Sequence, residues 1–304
     1  MKETFRTILA LMAGSMVFPA CNDETMVIEG VSDNHTSSQL REMVFTAIQE
    51  KQDGTTKATI DGVDIKWSAS DSISVFDGSD NRPFTLDGEG GSTSANFTGW
   101  AVAASTYYAI YPYQSGSTLS EDKVTTETLP AEQTVAEGQS VDPKAILMMA
   151  VNTDADTLSF KNVCAYVKVT PKFDCSRIEL SSKGSENLAG TVTLDYNGGA
   201  PVAEVTANGT HSVSLTGAIT SGKAYYIAVL PAVLESGFTL KFQTESANYK
   251  KDTNNKLVLT RNKVMNLGAF STSDLTLVSF TGFFKLFEDI DGPVDATTGY
   301  GMAW

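Results

Sequence analysis

Side chains able to do chemistry are few and scattered in this chain. There are two histidines, His35 and His211, and three cysteines, Cys21, Cys164 and Cys175. An activated nucleophile needs a base within hydrogen-bond reach and a third group to orient that base. His35 lies in a polar stretch, and His211 follows the turn-like Asn208-Gly209-Thr210, so neither occupies an elbow or helix start suited to such a set. Each reads as a solvated turn residue. The cysteines do not fall with the histidines at zinc-ligand spacing. Two acidic runs, Asp77–Asn81 and Glu288–Gly292, offer oxygens to calcium; neither follows a full calcium-loop pattern, and both read as acidic turns. No glycine loop precedes a helix in the manner of a phosphate cradle. The expectation is a non-enzyme with no catalytic residue, no metal and no cofactor.

Cys21 invites a different chemistry. Residues 1–6 carry Lys2 and Arg6, and Thr7–Phe18 is an uncharged, mostly apolar run. A short basic start, an apolar core of about 7–15 residues and a small residue before the cut form a secretory signal. The run is too short to span a bilayer, which takes about 20 apolar residues. Two readings follow for the Ala20-Cys21 junction. In one, a plain signal peptide is cut after Ala20 and Cys21 is an ordinary thiol. In the other, favoured one, residues 1–20 are a lipoprotein signal and Cys21 becomes the acylated first residue, held to a membrane by its lipid chains. Ala20 and Cys21 fit a lipobox; Phe18 and Pro19 do not.

Composition bounds what is exported. Residues 1–20 hold Lys2, Arg6 and Glu3, so the remaining 284 residues carry 20 basic against 35 acidic side chains. That surface repels phosphate backbones, which excludes nucleic acid as a partner, and it favours solubility. Besides Cys21 only Cys164 and Cys175 remain, so the choice lies between one disulfide and two unpaired thiols.

The elements that must position any site are strands. Ile73 and Val75 alternate in "SISVF", as do Val192, Leu194 and Tyr196 in "TVTLDY", and Phe238, Leu240 and Phe242 in "FTLKF". Each run sets its apolar members on one face, as a half-buried strand requires. Turn formers such as "DGSDN", "DGEGG", "YNGG" and "ANGT" separate them. The class is all-β, with antiparallel sandwiches. An internal repeat divides the chain. "FTGWAVAASTYYAIYP" (97–112) and "LTGAITSGKAYYIAVLP" (215–231) share Thr-Gly and Tyr-Tyr at one offset, Thr98-Gly99 on Thr216-Gly217 and Tyr107-Tyr108 on Tyr225-Tyr226. The expected organisation is a signal (1–20), an acidic linker with a removable strand-like run (21–41), two tandem β-sandwich domains (42–157 and 158–270) and a tail (271–304).

"FTAIQE…TKATIDG…IKWSASDSISVF" (45–76), "LPAEQTVAEGQSVDPKAILMMAV" (129–151), "LSFKNVCAYVKVTP" (158–171) and "LTRNKVMNLGAF" (259–270) together resemble the fimbrillin family. These are pilin-like lipoproteins of Bacteroidales-type bacteria, and the likeness runs in family order over nearly all of the exported chain. It implies two transthyretin-like β-sandwich domains, a lipidated precursor trimmed after an arginine outside the cell, and assembly with other fimbrial subunits. It further implies an outer-membrane, surface-exposed location, with lipid held through Cys21 before trimming and a host or bacterial surface ligand as an adhesive partner. Asp23 and Glu24, just after the cysteine, resemble the surface-export signal of such lipoproteins. Arg41 is the one arginine between Cys21 and Arg82, so the bond Arg41-Glu42 is the expected trimming site.

The tail is rich in aromatic and β-branched residues over 274–290 and must cover something. Either it folds back on the second domain as a strand or short helix, or it is a donor strand that fills a neighbouring subunit's groove. Val278, Phe280, Phe284 and Leu286 are its candidate anchors. An alternative to the fimbrial reading is a monomeric surface lipoprotein that binds glycan or a host ligand. Trp67, Trp100 and Trp304 could stack on sugars, although tryptophans on sandwich strands read first as core, and Trp67, alternating with Ile65, is read so.

Overall fold

The computed structural model describes residues 39–50, 66–78, 80–152 and 156–280. The first strands are β1 (Arg41–Gln49), β2 (Ser72–Phe76), β3 (Asn81–Leu86), β4 (Ser94–Ala101) and β5 (Tyr107–Tyr111). The chain then leaves them for three short strands, β6 (Thr118–Ser120), β7 (Lys123–Thr125) and β8 (Glu132–Val135). It returns as β9 (Met148–Asn152) and β10 (Thr157–Asn162). Seven of these close a barrel in the order β1-β10-β9-β5-β2-β3-β4, with β4 back on β1. Closure removes every free edge from this sheet.

The remaining strands are β11 (Ala165–Pro171), β12 (Cys175–Ser182), β13 (Ala189–Asn197), β14 (Ala200–Thr210), β15 (Ser212–Ile219) and β16 (Tyr225–Val229). They continue with β17 (Ala232–Leu234), β18 (Phe238–Gln243), β19 (Ala247–Thr253), β20 (Leu257–Leu259), β21 (Val264–Phe270) and β22 (Thr276–Phe280). A six-stranded sheet runs β22-β19-β18-β12-β15-β8, a four-stranded sheet β14-β13-β7-β6, and a three-stranded sheet β16-β11-β21. The class is all-β. Two details depart from the expected pair of antiparallel sandwiches. The first seven-strand sheet is closed, and three pairings, β1 with β10, β8 with β15 and β11 with β21, are parallel. Each joins strands far apart in sequence, and a parallel pair requires such a long crossover.

The excursion from Thr118 to Val135 is held by strands that come later in the chain. β7 lies on β13 and β8 on β15. Gln133 anchors it further: its fully buried amide donates from Nε2 to Ala228 O at 2.6 Å and accepts from Ala228 N at 3.0 Å. A buried amide with both ends satisfied in this way costs little to desolvate.

The barrel core gathers on Trp67, which is 1% exposed. Its indole meets Phe97, Tyr111 and Phe160 edge-on at centroid distances of 5.0, 5.1 and 5.7 Å, and its Nε1 donates to Ala47 O at 3.3 Å. Edge-to-face packing of this kind stabilises beyond area burial alone.

The internal repeat has a common hydrogen-bond pattern. Tyr107 OH donates to Val102 O at 3.2 Å and accepts from Ala104 N at 2.9 Å. Tyr225 OH likewise pairs with Ala218 O at 3.3 Å and Thr220 N at 2.8 Å. In both, a buried tyrosine at a strand start clamps two residues, spaced by two, at or just beyond the end of the preceding strand. The shared Thr-Gly also has a packing role: a Cβ on Gly217, whose φ is +132°, would run into Val135 O on β8, and one on Gly99 into Phe84.

Candidate assembly surface

Chain chemistry after Phe270 turns on backbone edges. β21 ends at Phe270 beside Pro171, and a short 3₁₀ turn (Thr272–Asp274) follows, tied by Ser271 N donating to the Asp274 carboxylate at 2.7 Å. The chain then crosses to the six-stranded sheet and adds β22 against β19, with Phe280 opposite Ala247 and Leu277 opposite Tyr249. Val278 is the extra residue of a bulge at this point, because Ser279 pairs with Asn248 and Leu277 with Tyr249. Every residue of β22 is exposed; Leu277, Val278 and Phe280 are 44%, 55% and 65% accessible. The strand therefore gains its main-chain pairing and buries little apolar area. Of the four anchors expected in the tail, Val278 and Phe280 lie on this edge strand, and Phe284 and Leu286 lie outside the described residues. For residues 276–280 the structure shows the fold-back arrangement. The outer edge of β22 carries no neighbour among the described residues.

At the other end, Arg41 and Glu42 are the first two residues of β1, both exposed, opposite Ala101 and Trp100 of β4. The terminal pairs of a ladder fray most readily, so this bond can be lifted without opening the barrel. Ala20 and Cys21 lie outside the described residues.

Among the described residues, the groups that could have made a reactive centre have structural partners or are buried. His211 is exposed, with Nδ1 3.0 Å from Glu186 O; His35 lies outside the described residues. Cys164 and Cys175 are free, buried thiols, so of the two alternatives the sequence left open the structure has the unpaired one. The reason is topological: the strand after Cys164, β11, belongs to the three-stranded sheet, whereas Cys175 opens β12 in the six-stranded one. Burial pushes both thiols up to about 12, aided at Cys175 by the Asp174 charge, so neither is a thiolate at neutral pH. The acidic turn at 77–81 is neutralised from within. Arg82 Nε donates to Asp77 at 3.2 Å and its Nη2 to Asp80 at 2.5 Å, while Val102 N donates to Asp77 at 2.6 Å. The second acidic run, 288–292, lies outside the described residues.

A cleft of about 910 Å³ that periodicity could not reveal extends from Asp71 and Tyr111 to Glu132, Asp142 and Lys144. Its carboxylates are likewise engaged. Asp142 accepts from Thr134 N at 2.8 Å and Lys144 N at 2.9 Å, Glu132 from Arg177 at 3.1 Å, and Asp71 from Ser68 N at 2.7 Å and Tyr111 OH at 3.1 Å. Burial raises the Asp71 pKa despite those two bonds. Ser70, Ser72, Thr128 and Thr134 also line the cleft, but no histidine does. Trp67 is core, as the sequence suggested, but Trp100 is 58% exposed and corrects the reading of these tryptophans as core; Trp304 lies outside the described residues.

No family model matches this chain, and no curated protein matches it. Among solved structures it is similar to putative cell adhesion proteins from Bacteroides ovatus (14% identity over 79% of this chain and 96% of that one, TM-score 0.48) and Bacteroides uniformis (18%, 78% and 97%, 0.43). It is also similar to a fimbrial protein from Bacteroides ovatus (14%, 78% and 53%, 0.37).

Proposed function

We propose that this chain is a structural subunit of a cell-surface fimbrium. It is exported as a lipoprotein anchored at Cys21, trimmed between Arg41 and Glu42, and joined to other subunits by strand addition through its tail. The observation that carries this reading is β22. A strand that exposes Leu277, Val278 and Phe280 and leaves its outer edge open is a liability in a monomer and a connector in a polymer. Its detachment from β19 gives up main-chain bonds and very little apolar burial, so exchange for a neighbour's groove is inexpensive. Among the described residues, the burial of both thiols and the hydrogen bonding of the cleft carboxylates support a structural role over an enzymatic one. The sequence resemblance supplies the order of events, with trimming preceding assembly.

N-terminal sequencing of the material sheared from the cell surface tests the trimming step. The reading predicts Glu42-Met43-Val44 as the first residues. An intact lipidated Cys21 on assembled subunits would contradict it.

A further inference from the structure

The outer face of the barrel carries a site that strand assembly does not use. Trp100 stands on β4 with Glu42 of β1 directly across on one side. It lines a depression of about 430 Å³ together with Leu40, Arg82, Pro83, Thr85 and Thr98. Four features define what this depression suits. The indole is 58% exposed on a barrel whose other large aromatics on β1, β3 and β4 are fully buried, so its ring is presented outward from a rigid sheet. Pro83 and Thr85 beside it are exposed, which adds a small apolar shoulder and a hydroxyl. Arg82 is held in place by Asp77 and Asp80, which fixes its guanidinium and neutralises its charge. Glu42, across from Trp100 on β1, is exposed as well.

We infer that Trp100 is the platform of a carbohydrate subsite that takes one uncharged pyranose ring. A pyranose has an apolar face of C–H groups and a polar rim of hydroxyls, which match a single exposed indole bordered by Thr85, Thr98 and Arg82. The charge balance selects among sugars. The chain carries a net −14, exposed Glu42 stands across from Trp100 on the neighbouring strand, and Arg82 is already paired, so sialic acids and uronates meet repulsion whereas neutral and N-acetylated hexoses do not. Leu40 forms one wall, and it lies on the amino-terminal side of the Arg41-Glu42 bond, so trimming there widens the depression. The inference stands independently of assembly, because the site belongs to a single chain.

Saturation-transfer NMR on the full chain with N-acetyl-glucosamine, galactose, fucose and 3′-sialyl-lactose as probes tests it. At least one neutral probe should bind weakly and show its strongest transfer on the ring C–H protons. Trp100→Ala should weaken binding by about tenfold or more, and Thr85→Ala by less. Both positions are exposed, and unchanged thermal unfolding would show that each variant folds. Absence of binding by every neutral probe, preferential binding through the sialic acid ring, or full binding by Trp100→Ala would each overturn the inference.

Discussion

Glu50 and Arg261, 211 residues apart in the chain, form a two-pronged ion pair: Nη1 lies 2.6 Å from Oε2 and Nη2 3.0 Å from Oε1. Arg261 also donates to Asn162 O at 2.8 Å, and Asn162 N donates back to Glu50 at 3.0 Å. Asn162 Nδ2 then reaches Asn262 Oδ1 at 2.7 Å. The residue after β1, the end of β10 and the turn before β21 thus share one polar knot. The Glu50 bonds push the Arg261 pKa up, against the effect of partial burial. Arg261→Met leaves a largely buried carboxylate with only Asn162 N and, at 3.9 Å, Lys161 Nζ beside it, and we expect a loss of about 1–3 kcal/mol. Arg261→Lys should recover only part of it, because an ammonium cannot present two parallel donors. Urea unfolding of the two variants measures this; equal stability of Arg261→Met and the wild type would contradict it.

Gly217 and Gly222 contrast both in backbone conformation and in what a side chain would meet. Both have positive φ, +132° and +79°, but a Cβ at Gly217 would strike Val135 O whereas one at Gly222 meets nothing within 4 Å. Gly222→Ala should cost about 1 kcal/mol, from the backbone conformation alone. Gly217→Ala should cost about 3 kcal/mol or more, because β8 must move off β15. Thermal unfolding separates the two, and equal losses would show that β8 does not approach so closely.

Acid sensitivity should trace in part to Glu179. Burial alone would raise its pKa, but Lys241 at 2.8 Å and Arg177 at 3.3 Å outweigh that and hold it below its ordinary value of 4.5. A depressed folded-state pKa contributes stability above the unfolded value, and that contribution is lost as pH falls through the folded one. Glu179→Gln should therefore narrow its stability gap to the wild type by about 0.5–1 kcal/mol between pH 7 and pH 3. A gap independent of pH would contradict the pairing.

Several strands in three of the sheets were legible in the sequence, and the reasons for the rest are physical. Alternation located β2, β13 and β18, since inward residues such as Ile73, Val75, Leu194 and Leu240 are fully buried. It also implied that β2 is half-buried, yet Ser74 and Phe76 on its other face are buried as well. Segment 113–117 covers them, with Gln114 N donating to Ser74 Oγ at 3.2 Å, and cover by a distant loop leaves no mark on local periodicity. Turn chemistry worked at "YNGG", where Gly198 and Gly199 both have positive φ between the paired Asn197 and Ala200. It misled at "ANGT", which lies inside β14, where irregular pairing with β13 absorbs the positive φ of Asn208. Trp67 and Trp100 share a residue type and opposite environments, because Trp67 points into the barrel and Trp100 stands on its outer face. The excursion of β6–β8 into sheets built by later residues depends wholly on long-range pairing, which composition and spacing do not encode.

The central claim is that the segment beginning at β22 joins one subunit to the next, and truncation after Phe270 tests it most directly. The shortened chain and the full chain, both cut after Arg41, would be compared by size-exclusion chromatography and electron microscopy. The account predicts a truncated chain that is folded by circular dichroism yet stays monomeric, while the full chain forms filaments or ladders. Filaments formed by the truncated chain as efficiently as by the full one would contradict it.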